Sequence, residues 1–308
     1  RTTEWSLMNV LTQIGLGYPF LFLLWGRSLR VHVITAVALL SLIAVLLLIP
    51  SKWPFLIFLS LTCALAAWEW SRLLWGRGTR IPMVTGVMLF VVTVVQAFAW
   101  LRTGSEDQRL LLWSAFISVC AWFVCVGGAL FRAQTQIRQG ALFWSVFAVV
   151  TLFATWACLA WLYLRSGAMF ILTMLAVIWI ADITAYFAGR ALGRHKLAPR
   201  ISPGKTVEGA VAGILGVVLW VVCTAIYWPQ SFGFDLAQRW GFIGAGLLAV
   251  LLAVFSICGD LFESLLKRRA SMKDSSDLLP GHGGVYDRID AVVAVVPLAF
   301  VLLGNLPW

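Results

Sequence analysis

The chain has 308 residues, of which 61% are hydrophobic and only 12% charged, with a formal net charge of +10. Soluble domains carry about 45–50% apolar and about 25% charged residues. The composition therefore excludes a soluble globular protein, a disordered chain, a collagen and a coiled coil, and leaves an all-α, polytopic integral membrane protein.

A helix needs about 20 mainly apolar residues to cross the hydrocarbon core. Runs of that kind fall at 5–25, 32–50, 53–71, 82–101, 110–131, 141–164, 168–188, 207–228 and 240–258, with a tenth, shorter and interrupted by Pro297, at 291–306. The sequence thus predicts nine to ten transmembrane helices. Arg1 is not an initiator Met, which points to a start that is processed or trimmed. The first apolar run lacks a small-residue cleavage site and reads as a span rather than a signal peptide. Most polar intervals are a few residues long. The two exceptions, 189–206 and 259–290, both lie in the C-terminal region 166–308, whereas 1–165 reads as spans alone.

Lys and Arg set the orientation. The odd-numbered loops carry 17 of them and the even-numbered loops 5, with Arg1 completing the 23. Both long loops are therefore expected on the cytoplasmic side, where much of the positive charge also meets anionic lipid headgroups. Nucleic acid is a poor partner for this charge, since no basic face rises out of the membrane. The six cysteines lie in or beside apolar runs without a C-x-x-C, and read as small buried thiols rather than a metal or disulfide framework. The 17 tryptophans are expected largely in interfacial belts and on lipid-facing surfaces. Gly209, Gly213 and Gly216 form a small-residue stripe suited to close helix packing.

Acidic residues are scarce, and their placement is informative. Asp182 sits inside the apolar run 168–188, where an ionisable group marks either a functional site or a buried partner from another span. The loop that follows holds Arg190, Arg194, Lys196, Arg200 and Lys205 within sixteen positions, ending in Gly204-Lys205-Thr206. That tripeptide imitates a phosphate-binding P-loop, but the earlier glycine would fall at Pro199 and no strand is expected before it. Lys205 and Thr206 still stand at a helix N-terminus, where free N–H groups and the helix dipole favour anions.

The second loop holds six of the 13 acids: Asp260, Glu263, Asp274, Asp277, Asp287 and Asp290. Residues 259–269 continue a helix on which Asp260, Ser264 and Lys267 share a face. Asp287 and Asp290, three apart, point the same way from a helix start. Carboxylates without thiols or clustered imidazoles select a hard cation such as Mg²⁺.

Residues 264–290, SLLKRRASMKDSSDLLPGHGGVYDRID, resemble the signature of the phosphatidate cytidylyltransferase family at Ser264, Lys267-Arg268, Lys273-Asp274, Pro280, His282-Gly283-Gly284, Asp287-Arg288 and Asp290. The stretch 179–209 is similar to the family's second block, with Asp182, Ala185-Tyr186, Gly189-Arg190, Lys196-Leu197, Ser202-Pro203, Lys205-Thr206 and Glu208-Gly209. Ile183 departs from it, where a small hydroxyl residue is expected. The run before residue 30 reads as an addition to the family's usual start.

The resemblance implies transfer of the cytidylyl group of CTP to phosphatidate, giving CDP-diacylglycerol and pyrophosphate, with 166–308 as the catalytic region. It implies Asp260 and Asp287 as Mg²⁺ ligands, with or without a second cation in the same site. Ser264, Lys267 and Asp290 would line that centre, Lys273 and Arg288 would contact phosphates, and Asp274 and His282 would hold the loop or the nucleotide. Ser202, Lys205 and Thr206 would cradle the triphosphate or the lipid phosphate, with Asp182, Tyr186, Lys196 and Glu208 as further substrate-binding positions. A homodimer also follows from the resemblance, while the size and loop pattern suit a bacterial inner membrane with the site facing the cytoplasm. The rival readings are a CTP-dependent polyprenol kinase, which would leave CDP, and an ion-coupled transporter using Asp182 and the acidic cluster as a relay.

Overall fold

The computed structural model describes residues 41–76, 78–104, 108–133, 140–279 and 283–304. The first expected span, residues 32–40 of the second, and Pro280 and His282 lie outside them. Residues 41–48 are helical. Then follow α1 (Trp53–Trp75), α2 (Ile81–Thr103), α3 (Gln108–Ala121) running through a π-turn (Trp122–Val126) into α4 (Gly127–Arg132), α5 (Ala141–Leu192), β1 (Lys196–Ala198), β2 (Ser202–Thr206), α6 (Val207–Tyr227), α7 (Phe232–Arg269) and α8 (Tyr286–Leu302).

Six helical stretches among the described residues are long and apolar enough to cross a bilayer, as the runs predict. α5, with 52 residues, covers two expected spans and is broken at Gly167, where φ is 81° and ψ −175°. Glycine reaches that conformation without a Cβ clash. α7 is broken in the same way at Gly241 and runs on to Arg269, so the predicted helical continuation of 259–269 is present. In the first long polar interval β1 pairs with β2 antiparallel, Lys196 opposite Thr206 and Ala198 opposite Ser202. Sequence reading expects no strand there, because a three-residue strand has no periodicity to detect.

α8 is the central element. Its ten residues Ala291–Phe300 are all buried, as a helix apolar on every side must be. Pro297 lacks the N–H that would bond the carbonyl four residues earlier. The hydroxyl of Thr155, which donates to Thr151 O at 2.8 Å, also lies 3.4 Å from that Val293 carbonyl. Inside a bilayer, packing and interhelical hydrogen bonds rather than exclusion of water hold helices together. Tryptophans supply many of both. Trp156 Nε1 donates to Ser60 Oγ at 2.9 Å, Trp122 Nε1 to Thr151 Oγ1 at 2.8 Å and Trp220 Nε1 to Thr173 O at 3.0 Å. Trp70, Trp100, Trp122, Trp144, Trp156 and Trp161 are buried, away from the interfacial and lipid-facing positions expected for most tryptophans, whereas Trp113, Trp228 and Trp240 are exposed. Trp70 brings together Phe147 of α5, Phe262 of α7 and Tyr286 of α8 with ring centroids 4.8–5.7 Å apart. Cys63 and Cys158 are buried as expected, whereas Cys120 is exposed.

Candidate active site

The first wall of the site is the hairpin and the start of α6. Thr206, extended at φ −123° and ψ 154°, caps α6 by accepting the Gly209 N–H at 3.2 Å. This is the bond a threonine N-cap makes to an otherwise unpaired donor. Around that hydroxyl the chain is bare: a Cβ at Gly189 would meet Thr206 Oγ1 at 2.9 Å, and one at Gly209 would meet Ala185 O at 2.8 Å. The glycine stripe thus packs α6 against the second arm of α5, as its spacing implies. Glu208 accepts the backbone N–H of Arg194 at 3.1 Å and of His195 at 3.2 Å, and lies 2.7 Å from His195 Nδ1. Its carboxylate is engaged in closing the turn that leads into β1. Arg268 Nε donates to Ile201 O at 3.3 Å, fastening the hairpin to the end of α7.

Between α5, β2, α6 and α7 lies a cavity of about 450 Å³. Asp182, Tyr186 and Arg190 enter it from α5, Lys205 and Thr206 from the hairpin, and Asp260 from α7. Arg190 donates to the Tyr186 hydroxyl at 3.2 Å, and Lys205 forms an ion pair with Asp260. Lys196 is exposed on β1 and Ser202 is half-buried on β2, both on the hairpin that carries Lys205.

The second wall depends on how closely α7 and α8 approach. A Cβ at Gly259 would stand 2.7 Å from Asp290 O and 2.8 Å from Ala291 Cα, so the crossing requires a residue without one. That contact brings the carboxylates of Asp260, Glu263 and Asp290 together, with oxygens of all three within 4.8 Å of one another. Glu263 is 2% exposed. Lys267 stands one turn along, 2.6 Å from Glu263 Oε1 and 3.3 Å from Asp287 Oδ1. Asp287 also accepts the N–H groups of Ser275 at 3.1 Å and Gly284 at 2.9 Å. Asp274 is part of the same turn, since a Cβ at Gly283 would meet Asp287 Oδ2 at 2.5 Å and Asp274 Cβ at 3.2 Å. Ser264 is half-buried on α7, and Lys273 and Arg288 are exposed.

The expected residues thus fall into a cavity set, a carboxylate set sharing Asp260 with it, and a loop set around Asp287. Two residues were missed as site members. Glu263 is visible in sequence as one acid among six, three positions after Asp260. Glu69 of α1 is fully buried and accepts four hydrogen bonds from the loop that carries Asp287. Its signal was an acid within an apolar run, the same signal that singled out Asp182.

Residues 30–306 match the model of the cytidylyltransferase family. The chain belongs to that family. Among its relatives, the phosphatidate cytidylyltransferase of Haemophilus influenzae is 31% identical over 87% of this chain and 96% of its own length. That of Pseudomonas aeruginosa is 34% identical over 91% of this chain and 98% of its own. A phosphatidate cytidylyltransferase from Synechocystis sp. is 44% identical over 44% of this chain and 43% of its own. The cytidylyltransferase match covers the residues that form both walls of the cavity.

Proposed function

We propose that the protein transfers the cytidylyl group of CTP to phosphatidate, forming CDP-diacylglycerol and releasing pyrophosphate. The observation that carries this reading is Asp260, which faces an anion-binding wall through Lys205 and belongs to the carboxylate cluster on its other side. The reaction needs no proton-abstracting residue, because a phosphate monoester is already ionised at neutral pH. A lipid phosphate oxygen attacks the α-phosphorus, its new P–O bond forms, and the bond to the β-phosphate oxygen breaks in line with it. The barrier is then one of bringing two polyanions together and holding them aligned. Lys205, Arg190 and the N-terminus of α6 supply positive charge on the cavity side, and Lys267 supplies it beside the cluster.

The cluster also fits a divalent cation. Its three members offer carboxylate oxygens alone, the hard donor set that Mg²⁺ takes. Three carboxylates this close repel one another without a cation among them. Lys267 Nζ, 2.6 Å from Glu263 Oε1, and Lys205, paired with Asp260, offset part of that charge. Asp260, Glu263 and Asp290 would hold the ion, a set in which Glu263 and Asp290 stand where sequence reading put Asp287. Bound there, Mg²⁺ would neutralise phosphate charge as a Lewis acid. Asp287 instead orders the loop through Ser275, Gly284 and Lys267.

The site is read as facing the cytoplasm of a bacterial inner membrane, with the acyl chains left in the bilayer and the protein as a homodimer. The deciding experiment supplies purified protein in detergent with phosphatidate and CTP, plus Mg²⁺ or EDTA. Pyrophosphate and CDP-diacylglycerol are expected with Mg²⁺ and not with EDTA. Release of CDP with a polyprenol, and no product from phosphatidate, would overturn the reading.

A further inference from the structure

Glu69 lies on α1, over 200 residues from the loop it touches, and none of its surface is exposed. Oε1 accepts the Ser276 hydroxyl at 2.5 Å and the Val285 N–H at 3.0 Å. Oε2 accepts the Ser275 hydroxyl at 2.9 Å and the Tyr286 N–H at 2.6 Å. A buried carboxylate is stable when donors of this kind surround it. Two of the four are the N–H groups of Val285, the N-cap of α8, and Tyr286, its first residue, where the helix dipole adds to the attraction. One side chain therefore grips the segment 275–276 and the segment 285–286 at once.

The same segments hold Asp287. Ser275 gives its hydroxyl to Glu69 and its N–H to Asp287, while Gly284, between the two grips, gives its N–H to Asp287. A Cβ at Gly284 would collide with Ser275 Oγ and stand 2.5 Å from Glu69 Oε2, so the clamp dictates that glycine. Asp290, a cluster member, follows one turn later on the helix whose start Glu69 caps. Trp70, next to Glu69, packs on the Tyr286 ring at 4.8 Å, which fixes the distance between α1 and the start of α8.

We propose that Glu69 is a positioning residue for catalysis: it touches no substrate, but sets where Asp287 and Asp290 stand by clamping both sides of their loop. This rests on the cytidylyltransferase reading of the site. The experiment uses full-length protein in detergent and compares wild type with Glu69→Gln, Glu69→Asp and Glu69→Ala. Glu69→Gln keeps the shape but turns an amide NH₂ toward two donors. It is expected to elute as wild type, to lose more than 30-fold in kcat, and to change KM for CTP less than threefold. Glu69→Asp should recover part of the kcat lost in Glu69→Ala. Trypsin without substrates, with fragments identified by mass, should cut after Lys273 at least tenfold faster in Glu69→Gln, because release of the clamp opens the loop. A folded Glu69→Gln variant with kcat within threefold of wild type overturns the proposal, whatever trypsin does. If Glu69→Gln does not fold, Ser275→Ala/Ser276→Ala carries the same readouts and the same criterion. Faster cleavage in the variant, alongside a wild type that makes no CDP-diacylglycerol, would leave the clamp standing and reject the assigned reaction instead.

Discussion

Asp260 is the residue at which the two halves of the site meet, so its removal should have the largest effect. Asp260→Asn keeps the volume, frees Lys205 from its ion pair and takes one charge from the cluster. Turnover with Mg²⁺ is expected to fall by at least about 10²-fold, the scale seen when one group stabilising transition-state charge is lost. Steady-state kinetics on phosphatidate and CTP checks this, and near-normal turnover would remove Asp260 from the cluster's role. Gly259 matters for a different reason. Its missing Cβ lets α7 lie on the Asp290 backbone, and Gly259→Ala should cost about 1–3 kcal/mol through overpacking. A lower unfolding temperature together with weaker Mg²⁺ dependence is the expected pair of results. Of these two residues, Asp260 was legible in sequence as an acid at the end of an apolar run. Gly259 was not, because its function is a contact with a residue 31 positions away.

The hairpin and the start of α6 show what an element adds. Lys205 was expected at a helix N-terminus beside other basic residues, and it is there. What sequence did not show is that 196–206 folds back as two strands, which turns Lys205 toward Asp260 and commits Glu208 to the turn at 193–195. Lys205→Met should raise KM at least tenfold for one substrate, and which one identifies the anion the hairpin holds. Titrating CTP at saturating phosphatidate, then the reverse, separates the two; equal KM values to wild type would take the hairpin out of binding. The glycine stripe on α6 was legible at this scale, since small residues four apart have few uses in a membrane other than close packing. The six buried tryptophans were not legible, because hydropathy does not say which face of a helix meets another helix.

At the scale of the molecule, the basic bias predicts that the hairpin and the acidic loop share the cytoplasmic side. Arg200→Cys, on an exposed part of the hairpin turn, should react with a membrane-impermeant maleimide in inside-out vesicles and not in intact cells, against a background lacking the native cysteines. Labelling from the outside would invert the assigned orientation. The sequence by itself determined a polytopic helical membrane protein, the places where spans fall among the described residues, and two polar loops whose acids and bases suit phosphate and a hard cation. These properties are local: each is carried by 20 or 30 consecutive residues, and hydropathy, charge and helical spacing read them directly. Tertiary structure alone decided that Glu263 and Asp290 lie beside Asp260, that Asp287 accepts the Ser275 and Gly284 N–H groups, that buried tryptophans bind helix to helix, and that Glu69 bonds a segment 206–217 positions away. Those outcomes depend on which helix faces pack together, and that is fixed by side-chain fit across distant segments rather than by any one of them.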